Sequence, residues 1–165
     1  MLKKEERGYK VEDKIHFNSH FSRFWFRFIE PNLPALRRGE IGRVLSLIKA
    51  DFNAYAGLGF EILSKELLAK YLNLEISQIS SFWNKEVEID IYAKFESFCV
   101  AGECKYKERK ISKNVLNELI LKCEKAHLAP DLLALFSKSG FSGELQNLKS
   151  DKILLFSLED FKILL

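Results

Sequence analysis

The residues best suited to chemistry are a glutamate, a lysine and an aspartate in two consecutive segments of alternating polar and apolar residues. Glu103 and Lys105 are two positions apart, so in a strand their side chains project from one sheet face about 7 Å apart. Asp90 lies in the preceding segment, residues 88–91, and a short turn would bring it within cross-strand distance of Glu103. Charged residues are unusual on strands in which every second residue is apolar. Their presence on these two strands therefore predicts a functional site.

The chemistry that suits these residues is hydrolysis assisted by a hard metal ion. Two neighbouring carboxylates repel each other unless a proton or a metal ion compensates their charge. Mg²⁺ prefers one or two carboxylates completed by water and phosphate oxygens, so Asp90 and Glu103 predict a site for Mg²⁺ or Mn²⁺. Lys105 would orient or deprotonate a water molecule and offset charge on a phosphorane-like transition state. Glu61, on a helix over the sheet, would supply a third carboxylate or hold a metal-bound water.

The same four residues would also fit a salt-bridge cluster on an exposed sheet face. The spacing Glu-x-Lys occurs three times in the chain, so the tripeptide alone carries little weight. Only the copy at residues 103–105 lies within a half-apolar alternating segment. That context favours the site over the surface cluster.

Alternating apolar residues predict the strands that position these side chains. Segments 86–95 and 98–106 alternate around a tight turn at residues 96–97 and are expected to form a hairpin. Its first strand should place Asp90 opposite an apolar face comprising Val87, Ile89 and Ile91. Its second strand should place Glu103 opposite Cys104. Further strands are predicted over three segments: 76–82, 131–137 and 152–156.

Helical spacing predicts the elements around the sheet. An aromatic stripe predicts a helix over residues 19–29, capped by Asn18 or Ser19 and stopped by Pro31. The spacing returns at residue 41, is interrupted or loosened at Gly57 and Gly59, and ends near Asn73. An amphipathic helix over residues 112–127 crosses between strands and implies a partly parallel sheet. Residues 140–143 are expected to form a loop and residues 158–165 a final helix. The aromatic stripe comprises Phe21, Phe24, Trp25 and Phe28.

Length and composition exclude several classes of protein. A chain of 165 residues with 47% hydrophobic residues has room for one ordinary domain and can bury a core. Its apolar runs are shorter than the roughly 20 residues of a membrane span, and a secretory signal is not expected at its charged start. Three cysteines without a C-x-x-C spacing argue against a disulfide framework or zinc site. We expect a cytoplasmic protein.

Local clusters of basic residues, rather than the net charge of +3, bear on nucleic-acid binding. A basic run follows the predicted site directly and would suit phosphate contacts, although a solvated loop explains it equally well. Arginines also interleave with the N-terminal aromatic stripe, whose simplest explanation is core packing or a docking face for other domains. The basic run comprises Lys107, Arg109, Lys110 and Lys113.

Four separated motifs, in order, give the sequence a resemblance to a known superfamily. Residues 59–61 read Gly-Phe-Glu, residues 88–91 read Glu-Ile-Asp-Ile and residues 102–105 read Gly-Glu-Cys-Lys. Together they resemble the PD-(D/E)XK nuclease signature. The N-terminal pattern, Tyr9 and Asp13 followed by Phe-Trp-Phe-Arg-Phe at residues 24–28, resembles more closely the C-terminal domain of unknown function of archaeal-type AAA+ ATPases.

The resemblance implies an α/β domain of restriction-endonuclease-like fold, a mixed sheet flanked by helices, with a helical N-terminal arm. It divides the chain into an arm, residues 1–45, and a nuclease-like domain, residues 46–165. It implies a Mg²⁺-dependent DNA endonuclease or nuclease-like DNA-binding domain. The alternative is an inactive interaction module that docks on an ATPase or winged-helix partner, or that forms a homodimer through its aromatic arm.

Overall fold

A computed structural model describes the backbone of Glu6–Arg7 and the whole of residues 19–165. Within these residues the strands form one mixed sheet in chain order, with β2, β3 and β4 antiparallel and β4, β5 and β6 parallel. The short β1 pairs in parallel with β2. The strands are β1 (Glu6–Arg7), β2 (Ser80–Trp83), β3 (Glu88–Lys94), β4 (Cys99–Lys105), β5 (Leu132–Ser137) and β6 (Ile153–Ser157).

Helices cover both faces of this sheet. They are α1 (His20–Phe24), α2 (Leu33–Arg37), α3 (Ile41–Leu72), α4 (Lys113–Lys125) and α5 (Gly143–Gln146). The helix α3 and a C-terminal 3₁₀ segment, Leu158–Leu164, enclose one core with the sheet, centred on Phe60, Leu68 and Phe136. The crossover helix α4 and the short α5 enclose the other core. The predicted α/β fold, a mixed sheet flanked by helices with a helical N-terminal arm, is confirmed.

The predicted interruption at Gly57 and Gly59 is wrong, because α3 is one continuous helix of 32 residues. A glycine inside a helix costs only about 1 kcal/mol relative to alanine, and the buried turns that follow offset this cost. The helix ends at Asn73, which adopts a left-handed conformation with a φ of 54° and caps it, as predicted. The predicted division at residues 45 and 46 falls within α3.

The N-terminal arm does not stop at Pro31. After α1 the chain continues through a π-helical turn (Trp25–Ile29) and a 3₁₀ turn (Glu30–Asn32) into α2. Proline is accepted there because it lies in the first turn, where its missing N–H has no intrahelical partner. The arm is fixed to α3 by two hydrogen bonds of 2.9 Å, from Arg23 to the Tyr55 carbonyl and from the Tyr55 hydroxyl to the His20 carbonyl. The motif at Tyr9 and Asp13 lies outside the described residues.

A β-bulge corrects the predicted faces of β3. Ser80 pairs with Tyr92 and Phe82 with Ile89, so two steps along β2 match three along β3. The extra residue puts Ile89 in the core beneath α4 and Ile91 in the core beneath α3, although one shared face was predicted for them. Asp90 lies between them, within the bulged segment.

Three shorter segments also differ from the sequence prediction. Ile76–Gln78 forms a 3₁₀ turn closed by a capping box rather than the start of a strand. The predicted loop at residues 140–143 leads into α5, which Ser142 caps. The last segment is a 3₁₀ helix over Leu158–Leu164. Hydrogen bonds between side chains and the local backbone determine the conformation of the first two segments. The spacing of apolar residues, on which the prediction was based, contains no information about these bonds.

Replacing Gly102 with alanine is expected to destabilise the fold by about 1–3 kcal/mol through overpacking. A Cβ at this position would lie 2.9 Å from the Ala134 carbonyl oxygen and 3.1 Å from Ile91 Cβ. Urea unfolding measures the change, with Gly57→Ala as control because a Cβ at Gly57 meets nothing within 4 Å. Equal unfolding midpoints for Gly102→Ala and wild type would contradict this packing.

Candidate functional site

The inner strand β4 brings Glu103 and Lys105 into contact. Lys105 Nζ donates a hydrogen bond of 2.6 Å to Glu103 Oε1. Glu103 is only 4% exposed although it is charged, because β3 and β5 flank its strand and α4 covers its face. A carboxylate that is buried to this degree requires compensation by cations or hydrogen-bond donors. Lys105 supplies part of it.

A second lysine, Lys122 on α4, completes the compensation and was missed by the sequence analysis. Its Nζ lies 2.9 Å from Glu103 Oε1 and 2.7 Å from Oε2. A signal for it exists in the helical period, because Lys122 follows the buried Leu119 by three positions and precedes the buried Cys123. A lysine beside the apolar stripe of a crossover helix is directed towards the sheet.

Asp90 enters the site from the bulge in β3. Its Oδ2 accepts a hydrogen bond of 2.8 Å from the backbone N–H of Cys104, between Glu103 and Lys105. Burial raises the pKa of Asp90 above its ordinary value, and the charge of Glu103 raises it further. The Cys104 N–H and the two lysines oppose this rise in pKa. Asp90 and Glu103 are therefore close enough to compete for the same compensating charge.

Glu61, on α3, lies near enough to Asp90 and Glu103 for their charges to act on it. Burial, followed by the charge of Asp90, raises the pKa of Glu61 to about 7. Lys65, one turn further along α3, opposes that rise and donates a hydrogen bond of 2.5 Å to Ser81 Oγ. Ser81 in turn donates to the Asp90 carbonyl at 2.9 Å, which ties α3 to β3 beside the site.

Cys104 lies between the site residues in sequence but faces the opposite core. Its side chain is buried among residues packed beneath α3. Burial raises the pKa of the Cys104 thiol well above its ordinary value, and the charge of Asp90 adds to this. The thiol is therefore neutral, and its role is packing rather than nucleophilic attack.

The donor set suits a hard cation held partly by water. Within residues 19–165 no three His, Cys, Asp or Glu side chains form a ready-made metal cluster. Asp90 and Glu103 do supply two carboxylates, and Asp90 Oδ1 accepts no hydrogen bond from these described residues. Mg²⁺ in proteins commonly uses one or two carboxylates plus water and phosphate oxygens. Asp90 and Glu103 could therefore hold such a cation once Lys122 releases an oxygen of Glu103.

The basic run predicted to contact phosphates follows β4 directly. Lys107, Arg109 and Lys110 are exposed in the loop, while Lys113 begins α4 and pairs with Glu144 at 3.5 Å. The loop is fixed to the end of β5 because Ser139 Oγ donates to the Lys107 carbonyl at 2.7 Å.

A lysine outside the predicted run adds to this basic surface. Lys138 Nζ lies 4.5 Å from the centre of the Tyr106 ring and pairs with Glu108. The ends of β4 and β5 thus carry cations beside Glu103 and Lys105.

Within residues 19–165, no helix combines the length and apolarity of a transmembrane span.

The chain is similar in sequence to one archaeal protein and in structure to another protein. It is 30% identical over 157 residues to the uncharacterized protein MJECL04 of Methanocaldococcus jannaschii, which covers 90% of this chain. The chain spans 35% of the length of that relative. The crystal structure of a protein of unknown function, AF1548, is similar over 59% of this chain and 58% of that chain, at 18% identity and a TM-score of 0.39.

A family model assigns the chain to a family. The model for DUF234, described as archaea bacterial proteins of unknown function, matches residues 25–118, which is more than half of the chain. This match includes the arm from Trp25 onward, all of α3 and the hairpin that carries Asp90 and Glu103. The chain therefore belongs to the DUF234 family.

Proposed function

We propose that this chain is a Mg²⁺-dependent nuclease domain of the PD-(D/E)XK type that hydrolyses DNA phosphodiester bonds. The observation that supports this most strongly is the meeting of Asp90, Glu103 and Lys105 where β3 and β4 run side by side. The carboxylates come from two strands and the lysine follows one of them by two residues, as the resemblance requires. Glu61, on α3, is proposed as the fourth member, because the charges of Asp90 and Glu103 act on it.

Each residue has a distinct task in the proposed reaction. Asp90 and Glu103 would hold the divalent cation, with Glu61 holding one of its water molecules. When bound, the cation would supply Lewis-acid activation of water and neutralise charge that develops on the phosphate. Burial disfavours the charged form of Lys105, but the hydrogen bond and charge of Glu103 outweigh it and hold the pKa above its ordinary value. Lys105 is therefore an ammonium group, which orients the attacking water and offsets charge in the transition state.

DNA is the partner that the surroundings of the site favour. The exposed cations Lys107, Arg109 and Lys110 would contact backbone phosphates, which give sequence-independent affinity that falls as salt rises. An ATPase or winged-helix partner is proposed from the resemblance to the C-terminal domain of AAA+ ATPases, and the chain spans 35% of the length of its relative MJECL04.

The direct test is DNA nicking by the purified chain. Supercoiled plasmid incubated with the protein is expected to become nicked in Mg²⁺ or Mn²⁺ and to remain intact in EDTA. Retention of supercoiled DNA in both metals, with the protein shown to be folded by circular dichroism, would count against an active nuclease.

An inactive interaction module is the second candidate, and the exposed arm favours it. Phe21 is 70% exposed and Phe26 is 50% exposed, and with Trp25 they line a shallow cavity of about 230 Å³. Exposed aromatic clusters of this kind often mark protein interfaces. A concentration-independent monomer in light scattering would argue against dimerisation through the arm.

Replacing Glu61 with glutamine is expected to stabilise the metal-free protein above neutral pH. The folded-state pKa of about 7 exceeds the ordinary value of 4.5, so this carboxylate destabilises the fold as pH rises through that interval. We expect Glu61→Gln to gain about 1–3 kcal/mol at pH 8 and nothing near pH 4. Urea unfolding in EDTA at both values measures it, with Glu66→Gln, exposed on the same helix, as control. A pH-independent difference would contradict the assignment.

A further inference from the structure

Lys122 holds the Glu103 carboxylate by both of its oxygens, whereas Lys105 reaches only Oε1. The Glu103 side chain is 5% exposed, and the Lys122 side chain is 30% exposed. A bidentate contact to a buried carboxylate differs from the surface ion pairs that contribute little to stability. It fixes the Glu103 side chain from the α4 side of the sheet.

This contact occupies the oxygens that a divalent cation would need. For Glu103 to bind a cation, Lys122 has to release at least one of Oε1 and Oε2. Lys105 can remain, because it contacts Glu103 through one oxygen only. The stem of Lys122 has four rotatable carbons, and its ammonium group is partly exposed, so it can turn towards solvent without a shift of α4.

We propose that Lys122 couples cation binding to substrate binding as a positioning residue, a role that rests on the proposed function. In the cation-free protein it neutralises Glu103. Once Glu103 holds a cation, the released ammonium pairs with a backbone phosphate of the DNA. Because linkage is reciprocal, DNA then strengthens cation binding by the same factor by which the cation strengthens DNA binding.

Calorimetric Mn²⁺ titration of the full chain tests this, with and without a short phosphorothioate duplex that resists hydrolysis. Without DNA, Lys122→Met is expected to bind Mn²⁺ about fivefold or more tightly than wild type, because the competing ammonium is gone. With DNA, the variant is expected to gain less affinity than wild type does, because only the contribution of the Lys122 ammonium to the coupling is lost. Lys125→Met, on the exposed side of the same helix, should behave as wild type.

Lys122→Arg supplies a second test with the opposite sign. The arginine fork holds a carboxylate in a bidentate manner more firmly than an ammonium does, so Mn²⁺ binding without DNA should weaken. This variant keeps the positive charge beside Glu103. It therefore tests whether residue 122 competes with the cation for Glu103 even if Lys122→Met fails to fold. Unchanged Mn²⁺ affinity in Lys122→Arg would overturn the proposal.

The outcomes separate this inference from the proposed function. If wild type binds Mn²⁺ through Asp90, but Lys122→Met has the same affinity and the same gain with DNA, the role of Lys122 is overturned and the nuclease proposal stands. If neither wild type nor Lys122→Met binds Mn²⁺ with or without DNA, both proposals are overturned.

Discussion

Asp90→Asn is expected to lower the rate of Mg²⁺-dependent DNA nicking by at least about 100-fold, since removal of a group that stabilises transition-state charge has effects of this size. The amide keeps the size of the side chain and an oxygen that accepts the 2.8 Å hydrogen bond from the Cys104 N–H. It loses the negative charge that would hold the cation. The initial rate of plasmid nicking measures the effect, and thermal unfolding shows that the variant is folded.

Asp131→Asn is the matched control for this substitution. Asp131 also accepts a backbone hydrogen bond of 2.8 Å from β4, through the N–H of Cys99, but at the opposite end of the strand. We expect it to nick DNA at the wild-type rate. Equal loss in both variants would indicate a structural effect on β4, and full activity in Asp90→Asn would discard the proposed site.

The second large effect is expected for Lys105→Met, with a fall in nicking rate of roughly 100- to 10,000-fold. Methionine retains the apolar stem but removes the ammonium that orients water. Glu103 does not become unpaired, because Lys122 still contacts both of its oxygens. Mn²⁺ affinity measured by calorimetry should therefore remain within a few-fold of wild type while the rate falls.

Lys94→Met controls for the loss of a lysine from the hairpin. Lys94 is exposed at the end of β3, away from the Asp90 bulge. Parallel loss of rate and of Mn²⁺ affinity in Lys105→Met would show that Lys105 acts on cation binding rather than on the chemical step. Wild-type rates would remove it from the proposed reaction.

Local periodicity predicts those parts of the fold and site that depend on neighbours in sequence. The alternation of residues in β4 predicts that Glu103 and Lys105 share one face of the sheet. The helical spacing of apolar residues predicts α4 in the segment of the chain between β4 and β5. The bulge beside Asp90 was not predicted, because it arises from the register with β2 rather than from the sequence of β3. Alternation alone therefore assigned Ile89 and Ile91 to one face.

Contacts between distant elements account for the remaining differences. Lys122 meets Glu103 across 19 residues, and only the packing of α4 on the sheet brings them together. The continuity of α3 through Gly57 likewise depends on the burial of apolar side chains on the neighbouring turns, such as Phe60 and Leu68. Propensity at a single glycine is a weak signal beside that burial.

The continuity of α3 also links the N-terminal arm to the candidate site mechanically. A straight helix of 32 residues extends about 48 Å, with Tyr55, which anchors the arm, and Glu61 less than two turns apart on it. Backbone hydrogen bonds along such a helix resist bending. A movement of the aromatic arm that tilts α3 would therefore also displace the Glu61 carboxylate. A partner that binds the arm would thereby change the position of Glu61 relative to Asp90 and Glu103.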